Sequence, residues 1–201
     1  MIGTLVALGG GGFSMSDDGT SAIDDFLLDL TGKDHPRVCL MPTASGDADS
    51  YAQRFEAAFA GRAPTSVLSL FCHEPWGLLR EAAANGTILA RISAGMSCWF
   101  DGSSTDSFGP LAPLADGLGF VPASACPHYL GEPERPEKYR GWVADGSLGE
   151  GYAADDYTAL LFRDGEFVEA VAERPGHPAF RVERVGAGES QEVDLPVRLL
   201  R

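Results

Sequence analysis

Ile92-Ser93-Ala94-Gly95-Met96 sets a serine directly after an apolar run and before small residues. A strand-to-helix turn of that kind pushes the hydroxyl out at the carboxyl end of a sheet. It also leaves the next N–H, that of Ala94, free to bond an oxyanion. A serine in this place is equally a ready helix cap. Two later segments favour the nucleophile. Thr105-Asp106-Ser107-Phe108-Gly109 puts a carboxylate in a turn, and Cys126-Pro127-His128-Tyr129 puts a histidine after a proline-ended apolar run. Serine is a poor nucleophile at neutral pH and needs an imidazole to take its proton and later return it to a leaving amine. Ser93 as nucleophile, His128 as base and Asp106 as orienter meet that need. His35, His73 and His177 lie beside or near prolines in apparent loops, where solvation is expected. Cys126 and His128 could ligate a metal, but no second pair stands at zinc-site spacing. Arg135, Lys138 and Arg140 form a basic stretch that either receives a substrate carboxylate, with Arg135 first in line, or faces water.

The elements that must position these groups follow an alternating rhythm. Thr4 to Leu8 reads as a buried strand ending in the tight turn Gly9 to Gly12, which has neither Walker nor full G-x-G-x-x-G spacing. Ser21 to Leu30 places Ile23, Phe26, Leu27 and Leu30 on one helical face, with Ser21 as N-cap. Arg37 to Met41 is a strand, Asp49 to Phe59 a helix, Ser66 to Phe71 a strand, Trp76 to Ala84 a helix capped by Asn85-Gly86, and Thr87 to Ile92 a strand. This order predicts an α/β domain with a mostly parallel sheet between two helical layers. Past Ser93 the pattern gives loops, then a hairpin of Ala159 to Phe162 and Glu166 to Val171 around Asp164-Gly165. Phe180 to Val185 and Val193 to Leu200 should add antiparallel edge strands. Trp99 and Phe100 are expected in the core beneath the serine turn.

The chain has 201 residues, 44% of them hydrophobic and 22% charged, which suits one globular domain spanning residues 1–201. Its 15 Lys and Arg against 29 Asp and Glu give a net charge of −14, which repels phosphate backbones and anionic lipid surfaces. Nucleic-acid and membrane partners are therefore not expected. The cysteines at 39, 72, 98 and 126 form no C-x-x-C pair and read as buried reduced thiols of a cytoplasmic protein. Met1 runs into Ile-Gly-Thr-Leu-Val-Ala-Leu without a basic leader, so no signal peptide or anchor is expected.

Six segments occur in order: Gly9-Gly10-Gly11-Gly12-Phe13-Ser14, Leu40-Met41-Pro42-Thr43-Ala44-Ser45-Gly46, Ser93-Ala94-Gly95, Cys98-Trp99-Phe100, Thr105-Asp106-Ser107-Phe108-Gly109 and Cys126-Pro127-His128-Tyr129. Over nearly the whole chain they resemble the peptidase E (aspartyl dipeptidase) and cyanophycinase-like serine peptidases. The resemblance implies a class I glutamine amidotransferase-like, flavodoxin-like α/β fold, no metal or organic cofactor, and cleavage of short peptides after an N-terminal aspartate. By position Ser93 matches the nucleophile and His128 the base. Asp106 is the expected third member and Glu132 its rival.

Two departures accompany the resemblance. Arg91 stands where such proteins usually have the first glycine of Gly-x-Ser-Ala-Gly, and either crowds the elbow or points to solvent. The second is an absence. Relatives carry a further strand-helix unit before the nucleophile strand, with a glycine-rich loop that supplies half of the oxyanion hole. Here Phe71-Cys72-His73-Glu74-Pro75-Trp76-Gly77 runs directly into Leu78-Leu79-Arg80-Glu81-Ala82. Closure is expected, with Ser66–Phe71 pairing directly with Thr87–Ile92 and Trp76, Leu78 and Leu79 packing the connecting helix. Gly10 and Gly11 are candidates to contact substrate and to replace the lost donor. The leading expectation is a serine peptidase acting on aspartyl dipeptides as a monomer or homodimer. A degenerate homologue that binds a peptide or protein without cleaving it is the alternative, and an esterase would use the same residues.

Overall fold

The computed structural model describes residues 3–42, 48–68 and 76–201. The first strand, β1 (Thr4–Leu8), alternates its side chains between two cores, as the two-residue period of a strand requires. Leu5 and Ala7 face one core, while Val6 and Leu8 face another that is closed by helix α1 (Ala22–Leu30). The Ser21 hydroxyl accepts the Asp24 N–H at 3.2 Å, so α1 starts at its predicted cap. Strand β2 (Val38–Leu40), helix α2 (Asp49–Phe59), strand β3 (Thr65–Val67) and helix α3 (Trp76–Ala84) follow. Gly86, with φ of 86°, ends α3 in the left-handed region. Strand β4 (Leu89–Ile92) then leads through Ser93 into the one-turn helix α4 (Ala94–Ser97).

The second half is built from β5 (Phe100–Thr105), β6 (Ala112–Leu114), β7 (Val121–Cys126), helix α5 (Glu134–Asp145), β8 (Gly151–Ala154), β9 (Thr158–Arg163), β10 (Glu166–Ala172), β11 (Ala179–Gly186), β12 (Glu189–Leu195) and β13 (Val197–Leu199). Asp164 and Gly165, both with positive φ, form the two-residue turn between β9 and β10. Pro196, which cannot donate to a ladder, divides the expected Val193–Leu200 strand into β12 and β13.

The chain is α/β with mixed sheets. Among the described residues, one sheet has the order β13-β10-β9-β1-β4, another the order β12-β11-β8-β7-β5-β6, and β2 pairs with β3. The hairpin places β9 inside its sheet, antiparallel to β1, rather than at an edge. Trp99 and Phe100, 1% and 0% exposed, lie in the core shared by the two larger sheets, as expected.

Closure of the sheet is not seen among the described residues. Among the described residues β4 is paired with β1 and β3 with β2, and no ladder joins β3 to β4. The remainder of the expected Ser66–Phe71 strand, Cys72, His73 and the Thr43–Gly46 part of the second motif lie outside the described residues. Helix α3 packs through Leu79 and Ala83, whereas Leu78, expected to pack, is 66% exposed. Two readings of the cysteines and basic residues are also corrected. Cys39 is exposed, because the short β2 turns it away from the Phe55 and Phe59 core. Arg135, Lys138 and Arg140 lie on α5 rather than in a loop. Its buried stripe is Arg135, Tyr139 and Val143, four residues apart, and its first member being an arginine hid the helical period. Pro136 sits in the first turn, where its missing N–H has no intrahelical acceptor to lose.

Candidate active site

Ser93 occupies the N-cap position of α4, yet its side chain makes no cap bond. Its backbone has φ of 57°, a region that costs a non-glycine residue about 1–3 kcal/mol and persists only where neighbours enforce it. The Ser93 N–H extends the ladder to the Leu8 carbonyl at 3.0 Å, which fixes the turn. The hydroxyl is thereby presented to His128 Nε2 at 2.7 Å. Arg91 neither blocks the elbow nor points freely into solvent. Its guanidinium reaches Cys98 Sγ at 3.1 Å and lies over the Trp99 ring, and a side chain at Gly95 would sit 2.9 Å from Arg91 Cβ. The glycine after Ala94 makes the room that the missing glycine at 91 would have made. Burial pushes the Cys98 thiol pKa up, against the pull of Arg91.

His128 follows β7 and Pro127, also at positive φ (51°). Its N–H donates to the Gly9 carbonyl at 3.3 Å, and the Tyr129 N–H to the Ala154 carbonyl at 3.2 Å. These two bonds tie the turn to the end of β1 and to the end of β8. His128 Nδ1 then meets Asp156 Oδ1 at 2.6 Å. A carboxylate only accepts, so Nδ1 carries the proton and Nε2 is left to accept from the Ser93 hydroxyl. The side chains of His128 and Asp156 are 20% and 22% exposed. Tyr157, next to Asp156, has φ of 60°, so strained backbone recurs at or beside all three positions.

The structure therefore brings Ser93 and His128 together and replaces the expected third member. Register alone would allow either acid, because β7 is flanked by β5 on one side and β8 on the other. Ser103 pairs with Ala125, and Cys126 with Ala153, so Asp106 and Asp156 lie beyond equivalent strand ends. The Tyr129 bond draws the histidine turn over β8. Arg135, 2% exposed, holds the rivals away: Glu132 contacts its Nε at 2.6 Å and Asp106 its guanidinium at 3.5 Å. Neither Asp106 nor Glu132 orients His128. Asp156 was missed in the sequence, although Asp155-Asp156 stands between two apolar runs as Ser93 and His128 stand after theirs.

The Gly9–Gly12 turn is part of the site's wall. A side chain at Gly10 would lie 2.3 Å from Asp156 Oδ1, and one at Gly9 2.3 Å from the Ala154 carbonyl, so both approaches require glycine. Gly11, expected to contact substrate, gives its N–H to Met15 Sδ at 2.9 Å, and Gly12 gives its own to Glu173 Oε1 at 3.2 Å. The Gly9 N–H goes to the Thr158 carbonyl at 2.9 Å, which leaves that of Gly10 without a partner among the described residues. The Ala94 N–H begins α4 and has no intrahelical acceptor. His177 lies in the loop between β10 and β11 and is partly exposed, but its Nδ1 is 3.0 Å from the buried Asp155 Oδ2. No group of three or more His, Cys, Asp and Glu at metal-holding geometry occurs among the described residues.

The model of peptidase family S51 matches residues 5–75 and 72–170, which together cover well over half of the chain. The chain belongs to peptidase family S51. It is a peptidase of the serine type. The two matched segments meet at residues 72–75, where the strand-helix unit was expected to be missing. An uncharacterized peptidase, YgaJ of Bacillus subtilis (strain 168), is 39% identical over 229 positions, covering 98% of each chain. That alignment is longer than the 201 residues of this chain, so the relative carries residues that this chain lacks. A crystal structure of a peptidase from an acI-B1 Actinobacterium shares the fold, with a TM-score of 0.66 over 96% of this chain and 98% of that one at 16% identity. No described helix is long and apolar enough to cross a membrane.

Proposed function

We propose that this peptidase hydrolyses short peptides, dipeptides with N-terminal aspartate first among them, through an acyl-enzyme on Ser93. The observation that carries the reading is the unbroken hydrogen-bonded chain from Ser93 Oγ through His128 to Asp156, at 2.7 and 2.6 Å. Ser93 Oγ attacks the scissile carbonyl carbon while its proton passes to His128 Nε2, and Asp156 balances the imidazolium that forms. The Ala94 N–H bonds the oxyanion, with the unpartnered Gly10 N–H as its second donor. Collapse breaks the C–N bond as His128 returns the proton to the leaving amine. Water then repeats the sequence on the ester, His128 taking its proton, and releases the acid and free Ser93.

Arg135 is the cation we assign to an acidic N-terminal side chain, with Asp106 as the exchangeable partner. The Asp106 contact is the looser of its two carboxylate pairs, and Asp106 is the more exposed acid. The degenerate-homologue alternative is disfavoured by the same chain of bonds, because strain at Ser93 and His128 has no use in a protein that only binds.

The test is hydrolysis of Asp-Leu, Glu-Leu and Ala-Leu by the whole protein and by Ser93→Ala. We expect Asp-Leu to have the highest kcat/KM and Ser93→Ala to abolish cleavage of all three. Equal rates on Asp-Leu and Ala-Leu overturn the acidic preference, and activity surviving in Ser93→Ala overturns the nucleophile.

A further inference from the structure

Beside the Ser93–His128–Asp156 chain lies a second carboxylate–imidazole pair, which the proposed chemistry does not use. Asp155 is 5% exposed and its carboxylate takes three donors. Oδ1 accepts the N–H groups of Leu130 and Gly131, each at 3.0 Å, and Oδ2 faces His177 Nδ1 at 3.0 Å. The pair is itself anchored. The Asp155 N–H donates to the Pro178 carbonyl at 3.2 Å, and the Thr158 hydroxyl to the His177 carbonyl at 2.9 Å.

Both N–H groups held by Asp155 belong to the turn that follows His128. That turn approaches the third member of the chain closely, since a side chain at Gly131 would stand 2.5 Å from Asp156 Oδ2. It also begins at the strained His128, whose φ of 51° must be imposed by its surroundings. One buried carboxylate therefore ties the histidine's turn to the strand end that carries Asp156. A buried carboxylate stays in one rotamer only while its oxygens are satisfied, and Oδ2 depends on His177.

We propose that Asp155 and His177 are positioning residues of this site. Asp155 clamps the turn after His128 to the end of β8, and His177 holds Asp155 in the clamping rotamer. The reading rests on His128 serving as the base for Ser93. Neither residue touches the reacting atoms, so their effect falls on the rate of proton transfer and not on peptide binding.

The experiment compares His177→Phe, His177→Asn and Asp155→Asn with the wild-type protein. His177 is partly exposed beside an open hollow with Arg174, Pro178 and Leu195, so the phenylalanine has room. Three readouts are taken: phosphonylation of Ser93 by an uncharged fluorophosphonate, followed by intact mass; the hydrogen-bonded His128 Nδ1–H proton by NMR; and the peptide KM. A displacement of about 1 Å at a reacting group costs about 10²-fold. We expect a loss of about that size in Asp155→Asn and about tenfold in His177→Phe, with peptide KM within about twofold. His177→Asn keeps a donor near the position of Nδ1 and should restore both the rate and the His128 resonance. A folded His177→Phe with the wild-type rate and an unmoved His128 resonance overturns the clamp while leaving the serine mechanism intact. If wild-type Ser93 is not phosphonylated, the serine reading fails, and the resonance decides the clamp: unmoved in His177→Phe, it is overturned; lost there and regained in His177→Asn, it stands. Should Asp155→Asn fail to fold, the two His177 variants decide.

Discussion

Replacing Asp156 with asparagine separates the orienting acid seen in the structure from the two acids that the sequence offered. Asp156 Oδ1 stands 2.6 Å from His128 Nδ1 in a partly shielded site. On the proposed mechanism, as Ser93 loses its proton an imidazolium forms against this carboxylate. With charge centres roughly 4 Å apart and an effective dielectric near 20, the pair is worth about 4 kcal/mol to the transition state. Asparagine removes that charge, and its amide can also turn a donor toward Nδ1 and so favour the wrong imidazole tautomer. The combined loss in triads of this kind is about 10⁴-fold, or about 5.4 kcal/mol. Asp106→Asn should behave differently. Its carboxylate is 56% exposed and pairs with Arg135 at 3.5 Å, so a surface-pair effect of under about 1 kcal/mol is expected. Glu132→Gln should lower stability by loosening the buried Arg135, and leave the chemical step within about threefold. The assay is the rate of Ser93 phosphonylation by an uncharged reagent, which avoids any contribution from substrate carboxylates. Asp106→Asn or Glu132→Gln slowing that rate more than Asp156→Asn does would refute the assignment.

Two further outcomes follow from buried ionisable groups. Asp24 is 3% exposed, and its Oδ2 has no hydrogen-bond partner among the described residues. Burial, only partly offset by Arg62, pushes its pKa from 3.8 up to about 7. The folded state then binds the proton more tightly than the unfolded chain, so this stabilisation is present at low pH and fades as pH rises from about 4 to about 7. It is bounded at about 4 kcal/mol. Asp24→Asn should raise Tm at pH 8 and change it little at pH 4.5, and parallel pH profiles of Tm for the two proteins would refute the argument. For the thiols, native-state alkylation followed by mass spectrometry should modify exposed Cys39 and leave Cys126 untouched, since burial pushes the Cys126 thiol up to about 12. Alkylation of Cys126 without unfolding would contradict its place in the core.

The elements read well in the sequence were those with strong periodicity and explicit stop signals. Helix α1 announced itself by Ser21 and an apolar face, helix α3 by Asn85-Gly86, and the β9–β10 hairpin by Asp164-Gly165. Those read poorly carry polar or small residues at buried positions. β5 buries Gly102, Ser103 and Ser104, β7 buries Ser124, and α5 buries Arg135, so neither strand nor helix period was visible in apolar residues alone. Ser93 and His128 were legible as candidates because each follows an apolar run, that before His128 ended by Pro127. The third member was not, because the choice between Asp106 and Asp156 depends on which neighbour of β7 the histidine turn leans over. That lean is set by the Tyr129–Ala154 bond and by the pull of Arg135 on Asp106, both contacts between residues distant in sequence.

The missing strand-helix unit and the hydrogen-bonded Ser93–His128–Asp156 chain are compatible because they involve different strand ends. Ser93 hangs from β4, His128 from β7 and Asp156 from β8; the Leu8 and Gly9 carbonyls at the end of β1 hold the first two, and Gly10 packs closely against the third. None of these attachments passes through residues 72–75, where the two family matches meet. What the shortening removes is the glycine-rich loop that the family resemblance assigns to the second oxyanion donor. A donor of that kind contributes about 2.7–4 kcal/mol to the transition state. Orientation of the base is a separate requirement, met here by the chain to Asp156. The Gly10 N–H belongs to the same peptide unit as the Gly9 carbonyl that accepts the His128 N–H, so the turn after β1 is held against the histidine turn at that unit. On the proposed mechanism, a shortened sheet keeps Ser93 and His128 in hydrogen-bonded contact, and its turnover depends on how well a backbone N–H from the β1 turn serves in place of that loop.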